Sequence, residues 1–306
     1  MLGDELIVAH ALARNYGRLS ALRDASLTIR RGESWGLLGL NGAGKSTLMK
    51  ILAGLLAPDQ GTVEICGRAI GENRRACQAR LGYLPETPPL YLEFSVDDYL
   101  ASCARIRGCE RRRIASLVDR AKQRCHLTEV GKRRIGLLSK GYQQRVGIAQ
   151  ALVHEPEVLI LDEPTAGLDP QQIDEVRQLI NELRKDCALL ISSHVLQEIT
   201  RISSHVAVLH LGEFRHQGPS EEAPSLEVRL GASLDEAQCT LLGNLDGVIG
   251  LTQNAQRLRL SCQDPATLAP RVAAFVVQQG WPLLELQRAQ SDLERLFFEL
   301  TGVVRT

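Results

Sequence analysis

The sequence predicts an α/β protein with a mainly parallel sheet, followed by a small α+β domain. Three observations predict it. Four short, uninterrupted apolar runs are separated by helical patterns, which marks parallel strands covered on both faces. A glycine-rich loop joins one of these runs directly to an apolar helix. After Gly218-Pro219 the pattern changes to shorter alternating segments.

Taken in order, Leu6 to Leu12 and Ala25 to Ile29 alternate as strands, with a turn at Arg31-Gly32-Glu33. Ser34 to Leu38 is a short apolar strand, and Ser46 to Leu56 an apolar helix ended near Pro58. Residues 95–153 read as mainly helical. The remaining buried strands are Val158 to Leu161, Ala188 to Ser192 and Val206 to Leu209. In the tail, Leu226 to Leu230 is a strand and Leu234 to Leu245 a helix. Val248 to Thr252 and Arg257 to Ser261 form a hairpin about Asn254. Leu268 to Gln278, Pro282 to Leu286 and Asp292 to Leu300 add a helix, a strand and a last helix. The boundaries are 1–220 for the first domain, with a helical subdomain about 87–153, and 221–306 for the second.

The length of 306 residues suits one large domain or two ordinary ones. Lys plus Arg and Asp plus Glu both total 36, so the basic excess of a dedicated nucleic-acid binder is absent. Hydrophobic residues at 44% are too many for a disordered chain. No window of about 18 apolar residues encodes a membrane span. The eight cysteines include no C-x-x-C pair and read as reduced thiols of a cytosolic protein. Residues 105–134 nevertheless hold eleven Lys/Arg against three Asp/Glu. That segment is first a solvated helical face, and second a surface for an acidic partner or an anionic membrane.

The chemistry starts at Gly39-Leu-Asn41-Gly42-Ala43-Gly44-Lys45-Ser46-Thr47, which fits G-x-x-x-x-G-K-[ST] between a strand and a helix. Glycines let several N–H groups converge on one phosphate, and the helix beginning near Lys45 adds its positive end. Lys45 supplies a charge for the outer phosphates, and Ser46 a hydroxyl for Mg2+. Val158 to Leu161 then ends in Asp162-Glu163, which puts carboxylates at the sheet edge where ligands bind. Asp162 is expected to hold Mg2+ and Glu163 to act as general base on water. Alone, the acidic pair also reads as a strand end before the turn at Pro164.

With these pieces the chain resembles the ATP-binding-cassette (ABC) transporter ATPases. Leu138-Ser139-Lys140-Gly141-Tyr142-Gln143-Gln144-Arg145 stands where that family has its Leu-Ser-Gly-Gly-Gln signature. Ala166-Gly167-Leu168-Asp169 matches its D-loop, and Ile191-Ser-Ser-His194 its switch histidine. Tyr16 lies where an aromatic ring stacks on adenine. The resemblance covers about residues 6–220. It implies a P-loop NTPase core with a helical subdomain, and ATP and Mg2+ as cofactors. It further implies that two copies close head to tail around two ATP molecules. Each ATP would lie between Lys45 of one copy and Ser139 and Gly141 of the other. His194 would contact the γ-phosphate, and Asp169 would link the two sites. Read singly, Ser139 is a helix N-cap, His194 a structural strand-end residue and Tyr16 a packed aromatic.

Two departures stand out. The family's Q-loop glutamine is Glu86 here, in Gly82-Tyr-Leu-Pro85-Glu86. A carboxylate still ligates Mg2+ but donates no hydrogen bond, so altered metal affinity or coupling is expected. Lys140 and Tyr142 replace signature residues, and Lys140 faces either the phosphate or solvent. Glu86 with Thr-Pro-Pro-Leu-Tyr, and the ending Leu-Glu-Arg-Leu-Phe-Phe-Glu-Leu-Thr, resemble the exporter-type subgroup whose membrane subunit is a separate chain. The implied role is a cytoplasmic, peripheral ATPase subunit, dimeric, driving a multi-span permease for export, with no nucleic-acid partner. Two other readings stand beside it: an ABC ATPase acting on nucleic acid or ribosomes, and a nucleotide sensor with little turnover. One phosphate loop, no heptad run and no C-x-x-C speak against the first of these.

Overall fold

The computed structural model of the protein describes residues 4–220, 224–289 and 292–301. The chain divides into two compact units, Met1–Ser220 and Glu221–Thr306. The expected boundary at 220/221 adjoins residues 221–223, which lie outside the described residues.

In the first unit, β1 (Glu5–Tyr16), β2 (Leu19–Arg30), β4 (Gln60–Ile65) and β5 (Arg68–Ala69) form an antiparallel sheet in the order β2-β1-β4-β5. β1 and β2 run longer than the apolar alternation suggests, because register shifts within the pair let the strands continue past irregular positions. The second sheet contains β3 (Ser34–Leu38), β6 (Leu81–Leu84), β7 (Val158–Leu161), β8 (Ala188–Ser193), β9 (His205–His210) and β10 (Glu213–Pro219). Its order is β10-β9-β3-β8-β7-β6, parallel except for β10. Every residue of β3, β6, β7 and β8 is buried, as strands covered on both faces require.

Helix α1 (Lys45–Leu52) follows the glycine loop and stops short of Pro58, because Gly54 takes φ +67°. The short α2 (Arg74–Gln78) precedes β6. The helical segment comprises α3 (Val96–Ile106), capped by Ser95, α4 (Ile114–Arg124) and α5 (Lys140–Leu152). α6 (Pro170–Leu183) and α7 (Leu196–Ile202) flank β8.

Four of the eleven basic residues in 105–134 pair with carboxylates from other segments. Arg113 and Arg120 both reach Glu155 (3.1 and 2.8 Å), Lys122 reaches Asp97 (2.6 Å), and Arg124 reaches Asp186 (2.8 Å). The charges of these four residues are thus balanced within the chain.

His154, just after α5, lies against the Leu81 carbonyl at 3.1 Å. Burial, with the Arg107 charge nearby, pushes its pKa down to about 4. The folded state therefore binds its proton later than the unfolded chain, whose histidine titrates near 6.5. Below pH ~6.5 this group costs about 1.4 kcal/mol of stability per pH unit until pH ~4. Urea midpoints between pH 6.5 and 4.5 should fall less steeply for His154→Gln than for the parent. Equal slopes would contradict this.

The second unit runs β11 (Ser225–Leu230), α8 (Glu236–Gly243), β12 (Val248–Asn254), β13 (Arg257–Cys262), α9 (Pro265–Gln278), β14 (Leu283–Arg288) and α10 (Asp292–Thr301). Its antiparallel sheet has the order β12-β13-β11-β14. Leu226, Val228, Leu258 and Leu260 pack with Leu268, Val272 and Val276 of α9 into one core. The alternate residues pair instead, Arg257 with Glu227 (3.1 Å) and Arg229 with Glu285 (3.4 Å). Among the described residues no helix is long and apolar enough to cross a membrane.

Candidate nucleotide-binding site

The parallel register builds the site. Leu38 lies opposite Ser193, and Leu161 opposite Ile191. The glycine loop after β3, the acidic pair after β7 and His194 after β8 therefore leave neighbouring strands at one sheet edge. The glycine loop has little room for other residues. A Cβ at Gly44 would sit 2.4 Å from the Ala21 carbonyl, at φ +109°; one at Gly39 would sit 2.5 Å from the Leu209 carbonyl. Gly44 is the N-cap of α1 and has no side chain to occupy the first N–H groups, which are left for an anion.

Lys45 is only 6% exposed. Its Nζ donates to the Gly39 carbonyl (2.7 Å) and lies 3.4 Å from Glu163 Oε1. The other Glu163 oxygen is 3.0 Å from His194 Nδ1. Glu163 thus spans the phosphate-loop lysine and the histidine, from a backbone with φ +46°, an uncommon conformation for a side-chain-bearing residue. Ser192, fully buried on β8, fixes both acids: its hydroxyl donates to Asp162 Oδ1 (2.7 Å) and accepts from the Glu163 N–H (2.8 Å).

A cavity of about 450 Å³ collects Tyr16, Asn41, Gly42, Gly44, Lys45, Ser46, Thr47, Glu86, Glu163 and His194. Gly39, Ala43 and Asp162 do not line it. Ala43 and Asp162 are buried beside it, and Gly39 receives the Lys45 bond. Tyr16 remains exposed, with the Arg14 guanidinium 5.2 Å from its ring centre.

Ser139, Gly141 and Asp169 lie elsewhere, lining a separate cavity of about 250 Å³ with Tyr142 and Arg145. Ser139 caps α5 and Asp169 caps α6, its carboxylate accepting from the Gln172 N–H at 2.9 Å. Both caps remain exposed. Lys140 lines neither of these cavities. It lines a groove of about 360 Å³ with Thr87, Pro88, Leu92 and Gln144. Glu86 borders both this groove and the Lys45 cavity.

Residues 22–166 match the ABC transporter family. The chain is 37% identical over 210 residues to the bacitracin transport ATP-binding protein BcrA of Bacillus licheniformis, covering 68% of each. The chain belongs to the ABC transporter ATP-binding proteins. This ABC ATPase is also 30% identical over 295 residues to the Nod factor export ATP-binding protein I of Burkholderia orbicola (strain AU 1054), covering 94% of each. Among solved structures it is similar to cbiO1 of Clostridium perfringens, part of the ABC transporter complex cbiONQ. That match has a TM-score of 0.65, 32% identity, and coverage of 71% of this chain and 89% of that one.

The motifs did not point to Ser192, Thr165 or Glu198. The available signal was polar residues in segments that are otherwise buried: Ser192 in an apolar strand, and Glu198 beside the apolar residues of α7.

Proposed function

We propose that this ABC ATPase works as a head-to-tail pair that drives a separate multi-span permease, in the direction of export, from the cytoplasmic face of the membrane. The observation that carries this is the separation of the two cavities. Lys45, Glu163 and His194 line one; Ser139, Gly141 and Asp169 line another. An N-cap serine exposed away from the phosphate loop is useful to ATP only if a second copy brings it there.

In this reading the loop N–H groups and Lys45 bind the phosphates, and Tyr16 stacks on the base. Ser46, Asp162 and Glu86 are hard oxygen donors, the set Mg2+ prefers. Mg2+, when bound, neutralises charge on the phosphate oxygens. Glu163 accepts the proton of the attacking water. His194 orients Glu163 through their hydrogen bond and contacts the γ-phosphate. Ser139 and Gly141 of the second copy close the site, and Asp169 links it to its twin.

The permease is assigned to the groove beside Glu86. Leu92 is exposed there, its chain neighbours Tyr91 and Phe94 are exposed as well, and Glu86 borders both the groove and the Lys45 cavity. The export direction is supported by the relative named for Nod factor export. A tagged chain should retain a multi-span protein from detergent-solubilised membranes. Leu92→Glu should release that protein while ATP turnover in detergent persists. Retention of RNA or ribosomal proteins in its place would favour the nucleic-acid reading.

A further inference from the structure

Glu198, on α7, is a carboxylate only 8% exposed, and no motif above uses it. Its Oε2 accepts from Thr165 Oγ1 at 2.9 Å and from Ser193 Oγ at 3.0 Å. Its Oε1 lies 3.5 Å from Arg177 Nη2 of α6. The donors come from three separate segments. Thr165 stands in the tight turn after the acidic pair, where the Ala166 N–H bonds the Glu163 carbonyl and the Leu168 N–H bonds the Thr165 carbonyl. Ser193 immediately precedes His194, and its hydroxyl also accepts from the Val195 N–H at 3.0 Å. Arg177 lies on the helix that Asp169 caps.

We propose that Glu198 is a positioning residue for ATP hydrolysis: it ties the turn carrying Glu163 to the strand end carrying His194, and both to the helix behind Asp169. The proposal rests on the roles given above to Glu163 and His194. The physical reason is that Glu163 and His194 leave different strands and meet through one 3.0 Å hydrogen bond. Glu198 touches neither group. It fixes the hydroxyls of their neighbours, so both side chains approach the nucleotide from a braced backbone. The buried Thr165 and Ser193 hydroxyls would have to move or remain unsatisfied without this acceptor, and either shifts the segments that carry them; Arg177 would keep only its pair with Asp174 (2.9 Å). A displacement of about 1 Å at a reacting group is enough to slow chemistry by about 100-fold.

The network also distinguishes between variants. Gln at 198 retains a carbonyl oxygen for Thr165 and Ser193 and gives up only the Arg177 pair. Ala gives up all three. Thr165→Val removes one hydroxyl from a side chain of nearly the same shape, and its melting temperature checks the fold. The test is steady-state ATP turnover, with ATP affinity measured separately by equilibrium titration. Glu198→Ala should lower kcat by about 10- to 100-fold with ATP affinity within about twofold of the parent. Glu198→Gln should restore kcat to within about threefold, and Thr165→Val should lower it by about threefold or more, with little change in melting temperature. Unchanged kcat in Glu198→Ala and Thr165→Val would overturn the proposal. So would a loss confined to ATP affinity, or one that Gln does not rescue. Glu163→Gln, measured alongside, separates this outcome from failure of the catalytic reading: if that variant still turns over, the roles of Glu163 and His194 are wrong.

Discussion

Replacing Glu163 by Gln lowers ATP turnover by about 100-fold or more while ATP still binds, the loss expected when a positioned general base is removed. The amide has nearly the same shape, so the hydrogen bond with His194 and the φ +46° backbone are kept. What is lost is the ability to accept a proton. The free chain adds a second consequence. Glu163 Oε1 lies 3.4 Å from the Lys45 ammonium inside a buried site, so the carboxylate competes with phosphate for that charge. Neutralising it frees Lys45, and ATP affinity should hold or rise. Phosphate release and titration with a fluorescent nucleotide measure the two effects. Turnover within about threefold of the parent would remove Glu163 from the chemistry.

Lys45→Ala is the second large effect, and it acts on binding. Lys45 is buried and held at the Gly39 carbonyl by a 2.7 Å bond. Hydrogen bonds to charged groups contribute about 1.5–3 kcal/mol each, so nucleotide affinity should fall by about 10- to 150-fold. Lys45→Arg should not restore it, because the larger planar guanidinium does not fit the place of the ammonium between the Gly39 carbonyl and Glu163. Circular dichroism should show both variants folded. Affinity within about twofold of the parent for Lys45→Ala would contradict the assignment.

Much of the fold was legible because the central strands are short apolar runs that read the same in any context. Ser34–Leu38, Val158–Leu161 and Ala188–Ser193 are buried on both faces, so their composition alone marks them. Leu81–Leu84 escaped notice because four residues containing a glycine and a tyrosine carry no period of their own. Gln60–Ile65 escaped it because only Val63 and Ile65 face the core. The site divides in the same way. The phosphate loop and acidic pair are contiguous in sequence, and their geometry follows from local backbone. The bracing of that pair by Ser192, and of its turn by Glu198, spans about thirty residues of chain and exists only once the strands are adjacent. Part of the balance of charge at 105–134 is hidden from the sequence for the same reason. Asp97, Glu155 and Asp186, which pair with Lys122, Arg113, Arg120 and Arg124, lie outside the segment.

The central claim is that Lys45 and Ser139 meet only between two copies. The molecular mass of Glu163→Gln in solution, measured by light scattering with and without ATP, tests it most directly. ATP should double the mass from 33.7 kDa, and adding Ser139→Arg should keep the chain monomeric with nucleotide still bound to Lys45. A mass that stays at 33.7 kDa with ATP demonstrably bound would contradict the head-to-tail site.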